Sequence, residues 1–240
     1  MKSNMISKSP LINLFKYLFD NRLPISVSGE SGTGKTTLAL YLVGNLLISE
    51  EKYRGSCIWI QAGEKFPVRR LSQIFESQFE NLQYLKENFL VSPQDHIINT
   101  YEEQFNIVHN IVSPSTILPP DLRFIVIDNI SHHLRYKLTQ FNSISDITRL
   151  LDRFYEDQLM PLFLFCRRFN IGLILIHEVT YDPKCSQLRP FFYKLYDRIK
   201  TIDIVLINSH KMPEKKINIS STEVTYDFIY NIEQTGISIK

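Results

Sequence analysis

Residues Val27 to Leu38 read V-S-G-E-S-G-T-G-K-T-T-L. Gly29, Gly34, Lys35 and Thr36 fit the phosphate-loop pattern G-x-x-x-x-G-K-[ST], and that pattern carries a mechanism. Glycines let the backbone coil until consecutive N–H groups point inward at phosphate oxygens and form an anion nest. The helix that follows adds the positive end of its dipole and its unpaired amides. In such a loop Lys35 reaches the β- and γ-phosphates and the Thr36 hydroxyl ligates Mg²⁺, so ATP and Mg²⁺ are the expected cofactors.

The flanks have the shapes the motif demands. Leu23–Val27 (L-P-I-S-V) is a short apolar run suited to a strand, and Lys35–Ile48 is strongly apolar over a helical length. Strand, glycine loop and helix in that order predict nucleotide binding.

Composition frames the site. At 240 residues the chain is one large domain or a core with a small appendage. Its hydrophobic content of 44% and charged content of 22% suit a soluble globular protein. A formal charge of +2 is too small to argue for nucleic acid, so any such surface must be a local patch. Cys57, Cys166 and Cys185 are scattered without a C-x-x-C pair. That spacing argues for neither zinc nor a disulfide framework and predicts reduced, mostly buried thiols in a cytoplasmic protein. With no signal-peptide h-region and no apolar run near ~18 residues, neither secretion nor membrane spanning is expected.

Apolar runs alternate with longer amphipathic stretches, which predicts an α/β fold with a mostly parallel central sheet flanked by helices. Strands are expected at Ile25–Ser28, Cys57–Gln61, Phe89–Ser92, Phe124–Asp128, Leu173–His177 and Ile202–Ile207; several are continuous runs, as in strands covered on both faces. Helices are expected at Pro10–Asp20, Lys35–Ser49, Pro67–Phe79, Tyr101–Ile111 and Ile144–Asn170, the last opening on a capping-box-like Ser143/Asp146 and kinked or divided by Pro161. Ile217–Ile219, Val224–Ile232 and Gly236–Ile239 read as antiparallel C-terminal strands, and the proline-rich 113–121 stretch as a surface connection. The expected organisation is a single domain over 1–240, with 1–22 as a lead-in and 209–240 as a β extension.

Arg123 to Ile130 (R-F-I-V-I-D-N-I) is an apolar strand that ends in Asp128. A carboxylate at the carboxyl end of a core strand beside a phosphate loop holds Mg²⁺ directly or through water, so Thr36 and Asp128 are the expected metal residues.

From here the residues resemble a particular family. I-D-N-I-S-H-H-L-R-Y (Ile127–Tyr136) resembles the V-D-S-h-x-x-x-F-R stretch of the RecA/RadA recombinases, where h is apolar. W-I-Q-A-G-E-K-F-P-V-R-R-L (Trp59–Leu71) is similar to their Y-I-D-T-E-x-x-F-x-x-x-R-h segment, its F-P-x-R-R-L portion being most like the recombinase paralogues. L-I-L-I-H-E-V-T (Leu173–Thr180) takes the place of h-h-h-T-N-Q-V-T, and V-T-Y-D-F-I-Y-N-I-E-Q-T-G-I-S resembles their closing R-h-x-I-x-x-x-G-I. The blocks span roughly residues 10–240, a size that resembles an archaeal RadA paralogue of the RadB/RadC kind, a RecA-type P-loop core without the helical N-terminal domain.

The resemblance implies phosphate contacts from Gly29, Glu30, Ser31, Gly32, Thr33, Gly34, Lys35, Thr36 and Thr37, and Arg70 stacking on adenine. It puts Glu178 where the family has a glutamine that senses the γ-phosphate, an unfavourable place for an anion unless it is protonated or held by a cation. The family's catalytic glutamate aligns with Gly63, and Glu64 is adjacent. A one-residue slip on an extended segment reverses a side chain, so either a local bulge that Gly63 permits re-aims Glu64 or hydrolysis is slow; slow hydrolysis is the expectation, with Lys35, Glu64 and Glu178 as the catalytic candidates.

Two segments follow central strands at their carboxyl ends, where open α/β sheets bind ligands. Leu134–Phe141 offers Arg135 and Lys137; Tyr181–Arg198 offers Lys184, Arg189 and Lys194 among aromatic rings. Cations interleaved with aromatics suit single-stranded DNA, and the family's corresponding loops line its DNA channel. Phe191, Phe192, Leu195 and Ile199 also fall at the spacing of a packing face. His132 and His133 read as loop or turn residues. The sequence thus leads to an ATP-binding accessory protein of homologous recombination that contacts single-stranded DNA and a RadA-type recombinase or other paralogue. Its expected states are monomers, small oligomers or hetero-complexes rather than filaments. The alternatives are a KaiC-type regulatory ATPase acting on protein partners without DNA, and a scaffold with structural ATP.

Overall fold

Every residue of the strand before the phosphate loop, β1 (Ile25–Gly29), is buried, which requires helices on both faces of its sheet. The computed structural model describes residues 10–20, 22–49, 51–183, 187–208, 214–221 and 225–240. Around β1 stand α1 (Pro10–Asp20), α2 (Lys35–Ser49), β2 (Ser56–Gln61), α3 (Val68–Ile74), α4 (Phe79–Asn88) and β3 (Phe89–Ser92). Next come α5 (Tyr101–Val112), β4 (Leu122–Asp128), α6 (His132–Leu138), α7 (Ile144–Phe154), α8 (Met160–Phe169) and β5 (Gly172–His177). A hairpin of β6 (Val179–Asp182) and β7 (Gln187–Pro190) precedes the single-turn α9 (Tyr193–Tyr196) and β8 (Ile202–Asn208). The remaining strands are β9 (Lys215–Ser220), β10 (Thr225–Glu233) and β11 (Gly236–Ile239).

The strands form a nine-stranded sheet in the order β11-β10-β9-β8-β1-β5-β4-β2-β3. From β3 to β8 the pairings are parallel, and β8 to β11 are antiparallel, as the sequence predicts. Alternate residues of the parallel strands feed two cores. Val27, Trp59, Val126, Ile176 and Ile204 pack with α1 and α2 on one face; Ile60, Ile127 and Leu175 pack with α5, α7 and α8 on the other. Because the strands are parallel, the carboxyl ends of β1, β4, β5 and β2 all open on one edge. That edge holds the phosphate loop.

Two predicted helices need correction. The helix expected over Pro67–Phe79 ends at Ile74, because Phe75 leaves it to sit buried in the core and the Gln78 amide turns back onto the Phe75 carbonyl; a second helix, α4, starts at Phe79 and escaped the sequence reading because Leu85 is its one buried residue. Ile144–Asn170 is divided, and the break precedes Pro161: a π-helical stretch, Tyr155–Leu159, lies between α7 and α8. The widened turn accommodates a proline ring that has no N–H to give the ladder. Ser143 does not cap α7, its hydroxyl meeting Ser145 Oγ at 2.6 Å instead. A side-chain cap is formed by Thr100, whose Oγ1 accepts the Glu103 amide at 3.0 Å at the start of α5.

Cys57 and Cys166 are free and buried, and burial pushes both thiols up; Cys185, Val224 and residues 1–9 lie outside the described residues. No helix among the described residues is long and apolar enough to cross a membrane.

Candidate functional site

The phosphate loop coils between β1 and α2. Gly29 is a close approach: a Cβ there would come within 2.6 Å of the Leu206 carbonyl oxygen. Gly34 has φ +92, and its Cβ would fall 2.7 Å from Ile232 of β10, so neither position accepts a side chain without rebuilding the loop. Lys35 Nζ donates to the carbonyls of Gly29 at 2.8 Å and Glu30 at 3.0 Å, which folds the ammonium back over the loop. Thr33 Oγ1 donates to the Glu30 carbonyl at 2.8 Å. The first amides of α2 have no carbonyl a turn behind them, as at any helix start, and face this coil.

Thr36 Oγ1 donates to Asp128 Oδ2 at 2.8 Å, joining the loop to the end of β4. Burial pushes the Asp128 carboxyl up to about 6 despite the Thr36 hydrogen bond that favours its charged form. A buried carboxylate held at that cost is suited to a cation. Burial also lowers the Lys35 ammonium, and Asp128, Glu178 and Glu64 oppose the change. Gly29 through Thr37 except Thr33, together with Glu64, Asp128, Arg135 and Glu178, line a cleft of about 660 Å³, within the usual size of a small-molecule site. Thr33 is instead buried beneath the loop.

The donor set fits Mg²⁺ with a nucleotide. One hydroxyl and one carboxylate stand beside a coil of amides, and no group of three His, Cys, Asp or Glu suited to a metal occurs among the described residues. An ion here takes its other oxygens from phosphate and water.

The wall opposite the loop is set by Gln61 at the end of β2. It is buried, donates through Nε2 to the carbonyls of Pro93 and His96, both at 2.6 Å, and accepts the Phe66 amide at 2.8 Å. These bonds shape the 62–66 segment, where the Gly63 amide is tied to the Asp128 carbonyl at 3.0 Å and the exposed Glu64 faces the cleft.

Sequence reasoning missed the brace beneath the loop. Buried Tyr230 of β10 donates its hydroxyl to the Thr33 carbonyl at 2.6 Å, and Lys215 of β9 donates to the Gly32 carbonyl at 3.0 Å. Both are far from the loop in sequence; only the antiparallel extension brings them together, so no local signal announces them.

No protein-family model matches the chain. The yeast Saccharomyces cerevisiae DNA repair protein RAD57 is 28% identical over 182 residues, 71% of this chain and 36% of that protein. The DNA repair and recombination protein RadB of Thermococcus sibiricus is 25% identical over 171 residues, 71% of this chain and 65% of RadB. An Arabidopsis thaliana DNA repair protein XRCC3 homolog is 26% identical over 163 residues. The crystal structure of the RadB recombinase superposes with a TM-score of 0.66 at 20% identity, covering 90% of each chain, and supports the fold. The chain is a relative of the RecA/RadA recombinase paralogues. It spans between about a third and two thirds of the length of these curated relatives.

The family positions are distributed unevenly about the cleft. Arg70 is not among the residues that line it: its guanidinium donates to the carbonyls of Glu233 at 2.6 Å and Gln234 at 3.1 Å, and to Thr37 Oγ1 at 3.2 Å. It ties α3 to the phosphate-loop helix and the β10–β11 turn. Glu178, at the family's glutamine position, has the cation that its charge calls for: its Oε2 accepts Arg135 Nη1 at 2.5 Å.

The cationic segments are more ordered, and more neutralised, than the sequence suggests. Most of Leu134–Phe141 is not a loop: His132 to Leu138 form α6, because Leu134 is fully buried and His133 nearly so. Arg135 stacks over the Phe191 ring at 5.1 Å, and Lys137 pairs with Glu102 of α5 at 2.8 Å. Arg189, on the β6–β7 hairpin, lies 3.6 Å from Asp182 and 4.5 Å over the Tyr193 ring. Lys194 is exposed on α9, and Lys184 lies outside the described residues. Leu195 and Ile199 are buried and form part of the second core, with Phe192 packed against it.

Proposed function

We propose that this chain is a RecA-like ATPase domain over residues 1–240 that binds Mg-ATP, hydrolyses it slowly, and serves homologous recombination and DNA repair. The observation that carries the reading is the Thr36–Asp128 bond at the mouth of a phosphate loop. The loop amides from Gly29 to Thr37 and the Lys35 ammonium hold the phosphates, Lys35 exchanging its two carbonyl partners for phosphate oxygens. Thr36 and Asp128 hold the ion, and bound Mg²⁺ supplies charge neutralisation and polarisation of the phosphoryl oxygens. Glu64, which lines the cleft, is the acid proposed to orient water, and its offset from the family position supports slow turnover. The names of the relatives support the cellular role, DNA repair and recombination; a RadA-type recombinase or another paralogue as partner and the cytoplasm as location are part of the proposal.

Arg135, Lys137, Arg189 and Lys194, with Lys184, are the proposed contacts to single-stranded DNA. Carboxylates pair with three of these cations (Arg135, Lys137 and Arg189). That pairing favours a second reading, a regulatory ATPase acting on protein partners without DNA.

Nucleotide binding and turnover, measured with and without single-stranded DNA on wild type and Lys35→Ala, test the proposal. Turnover stimulated by DNA and lost in Lys35→Ala is the expected result. Turnover retained in the variant places the activity elsewhere. Binding to labelled oligonucleotides that weakens steeply with salt separates the first reading from the second, because phosphate contacts release counterions.

A further inference from the structure

Glu178 leaves β5 immediately after His177, whose register partner in β1 is Ser28, so the carboxylate stands beside the start of the phosphate loop. It lines the cleft with Lys35 and Arg135, and its charge raises the proton affinity of Lys35. Three groups meet on Arg135: the Glu178 carboxylate at 2.5 Å, the Phe191 ring at 5.1 Å, and the open cleft. The Phe191 amide donates to the Glu178 carbonyl at 2.8 Å, which closes the unit.

A terminal phosphate brought into this cleft adds negative charge near Glu178 and offers the guanidinium a competing anion that can accept two parallel N–H bonds, where Glu178 accepts one. A diphosphate, ending nearer the loop, adds much less charge there. We infer that Arg135 and Glu178 form a charge latch that sets the preference between nucleoside tri- and diphosphates: Glu178 opposes the terminal phosphate, and Arg135 leaves Glu178 to meet it. The latch takes Arg135 out of the proposed DNA contacts and makes it a nucleotide-directed cation of α6, with Glu178 the positioning residue that stores it. The inference rests on the nucleotide reading of the cleft.

The latch predicts opposite effects from its two halves. Affinity for Mg-ADP and for the Mg²⁺ complex of adenylyl imidodiphosphate is measured by calorimetry on wild type, Glu178→Gln, Arg135→Ala and Arg135→Lys at fixed salt. Glu178→Gln is expected to tighten the triphosphate analogue about tenfold, since a unit negative charge is removed from the wall of the same cleft. Arg135→Ala is expected to weaken the analogue about tenfold, while Arg135→Lys keeps most of the affinity. Mg-ADP affinity stays within about twofold throughout. A merely structural ion pair leaves the ratio of the two affinities unmoved, so a ratio constant across all variants, or both nucleotides shifting together, overturns the latch. Wild type that binds neither nucleotide overturns the phosphate-site reading and the latch with it; wild type that binds both, with a constant ratio, overturns the latch alone. The pair is 55% and 37% exposed, so the variants should fold. If Arg135→Ala does not, Glu178→Gln and Arg135→Lys decide the question.

Discussion

Replacing Asp128 by asparagine should stabilise the empty protein while disabling it. The residue is 8% exposed, and burial raises its carboxyl from 3.8 to about 6. The folded chain therefore holds this proton more tightly than the unfolded chain. Ionised Asp128 costs stability above about pH 6, and the cost is relieved as the pH falls toward 3.8. A displacement of that size corresponds to about 3 kcal/mol. Asparagine keeps the shape and an acceptor for Thr36 Oγ1 and removes the charge. In urea titrations without nucleotide or Mg²⁺, Asp128→Asn should exceed wild type by up to about 3 kcal/mol at pH 8. The gap should narrow through pH 6 and close near pH 4. His177, buried and pushed down to about 3, destabilises both proteins as the pH falls below its ordinary value of 6.5, and cancels in the difference. Mg-ATP at a thousandfold excess over Kd should reverse the ranking: wild type gains about 4.1 kcal/mol, and the variant gains little. A gap independent of pH between 8 and 5, or a variant less stable than wild type at pH 8, refutes the reasoning.

Three further outcomes follow from the same geometry. Tyr230→Phe orphans the buried Thr33 carbonyl and should cost about 1–3 kcal/mol, with each kcal/mol lowering the melting temperature by about 2–4 °C, and should weaken Mg-ATP binding; unchanged melting and affinity would remove the brace. Glu64→Gln should abolish slow ATP turnover while leaving ATP affinity within about twofold, and an unchanged rate excludes Glu64 as the base. Lys137→Ala should barely alter melting, because its pair with Glu102 is partly exposed, and should reduce the salt slope of oligonucleotide binding by about one; an unchanged slope takes Lys137 off the DNA surface.

The parallel sheet could be read from the sequence because its strands are buried on both faces. A run such as R-F-I-V-I-D reads as a two-sided strand, α1 follows from its apolar spacing, and α2 from an apolar run of helical length behind the glycine loop. What the sequence hid was decided by tertiary packing. The break after Ile74 depends on Phe75 finding the core, and α4 has a single buried residue to betray it. The helix over His132–Leu138 was hidden because its polar residues outnumber its core contacts, Leu134 and His133.

The site divides the same way, and the division explains its chemistry. Loop residues from Gly29 to Thr37 act through backbone and short side chains, so a local motif suffices to find them. Cations act through their partners, and those partners come from elsewhere: Glu102 on α5 for Lys137, Asp182 for Arg189, Glu178 after β5 for Arg135. A basic, aromatic segment therefore reads as a phosphate-binding surface from sequence while the fold neutralises much of its charge. Any nucleic acid or nucleotide that binds there must outcompete a carboxylate already in place. That requirement makes binding conditional, weak in the paired state and strong once a pair opens, which a single-sign basic patch cannot do. A glutamate standing where the family carries glutamine is then an intelligible change: it adds the acid that keeps Arg135 occupied until a better anion arrives.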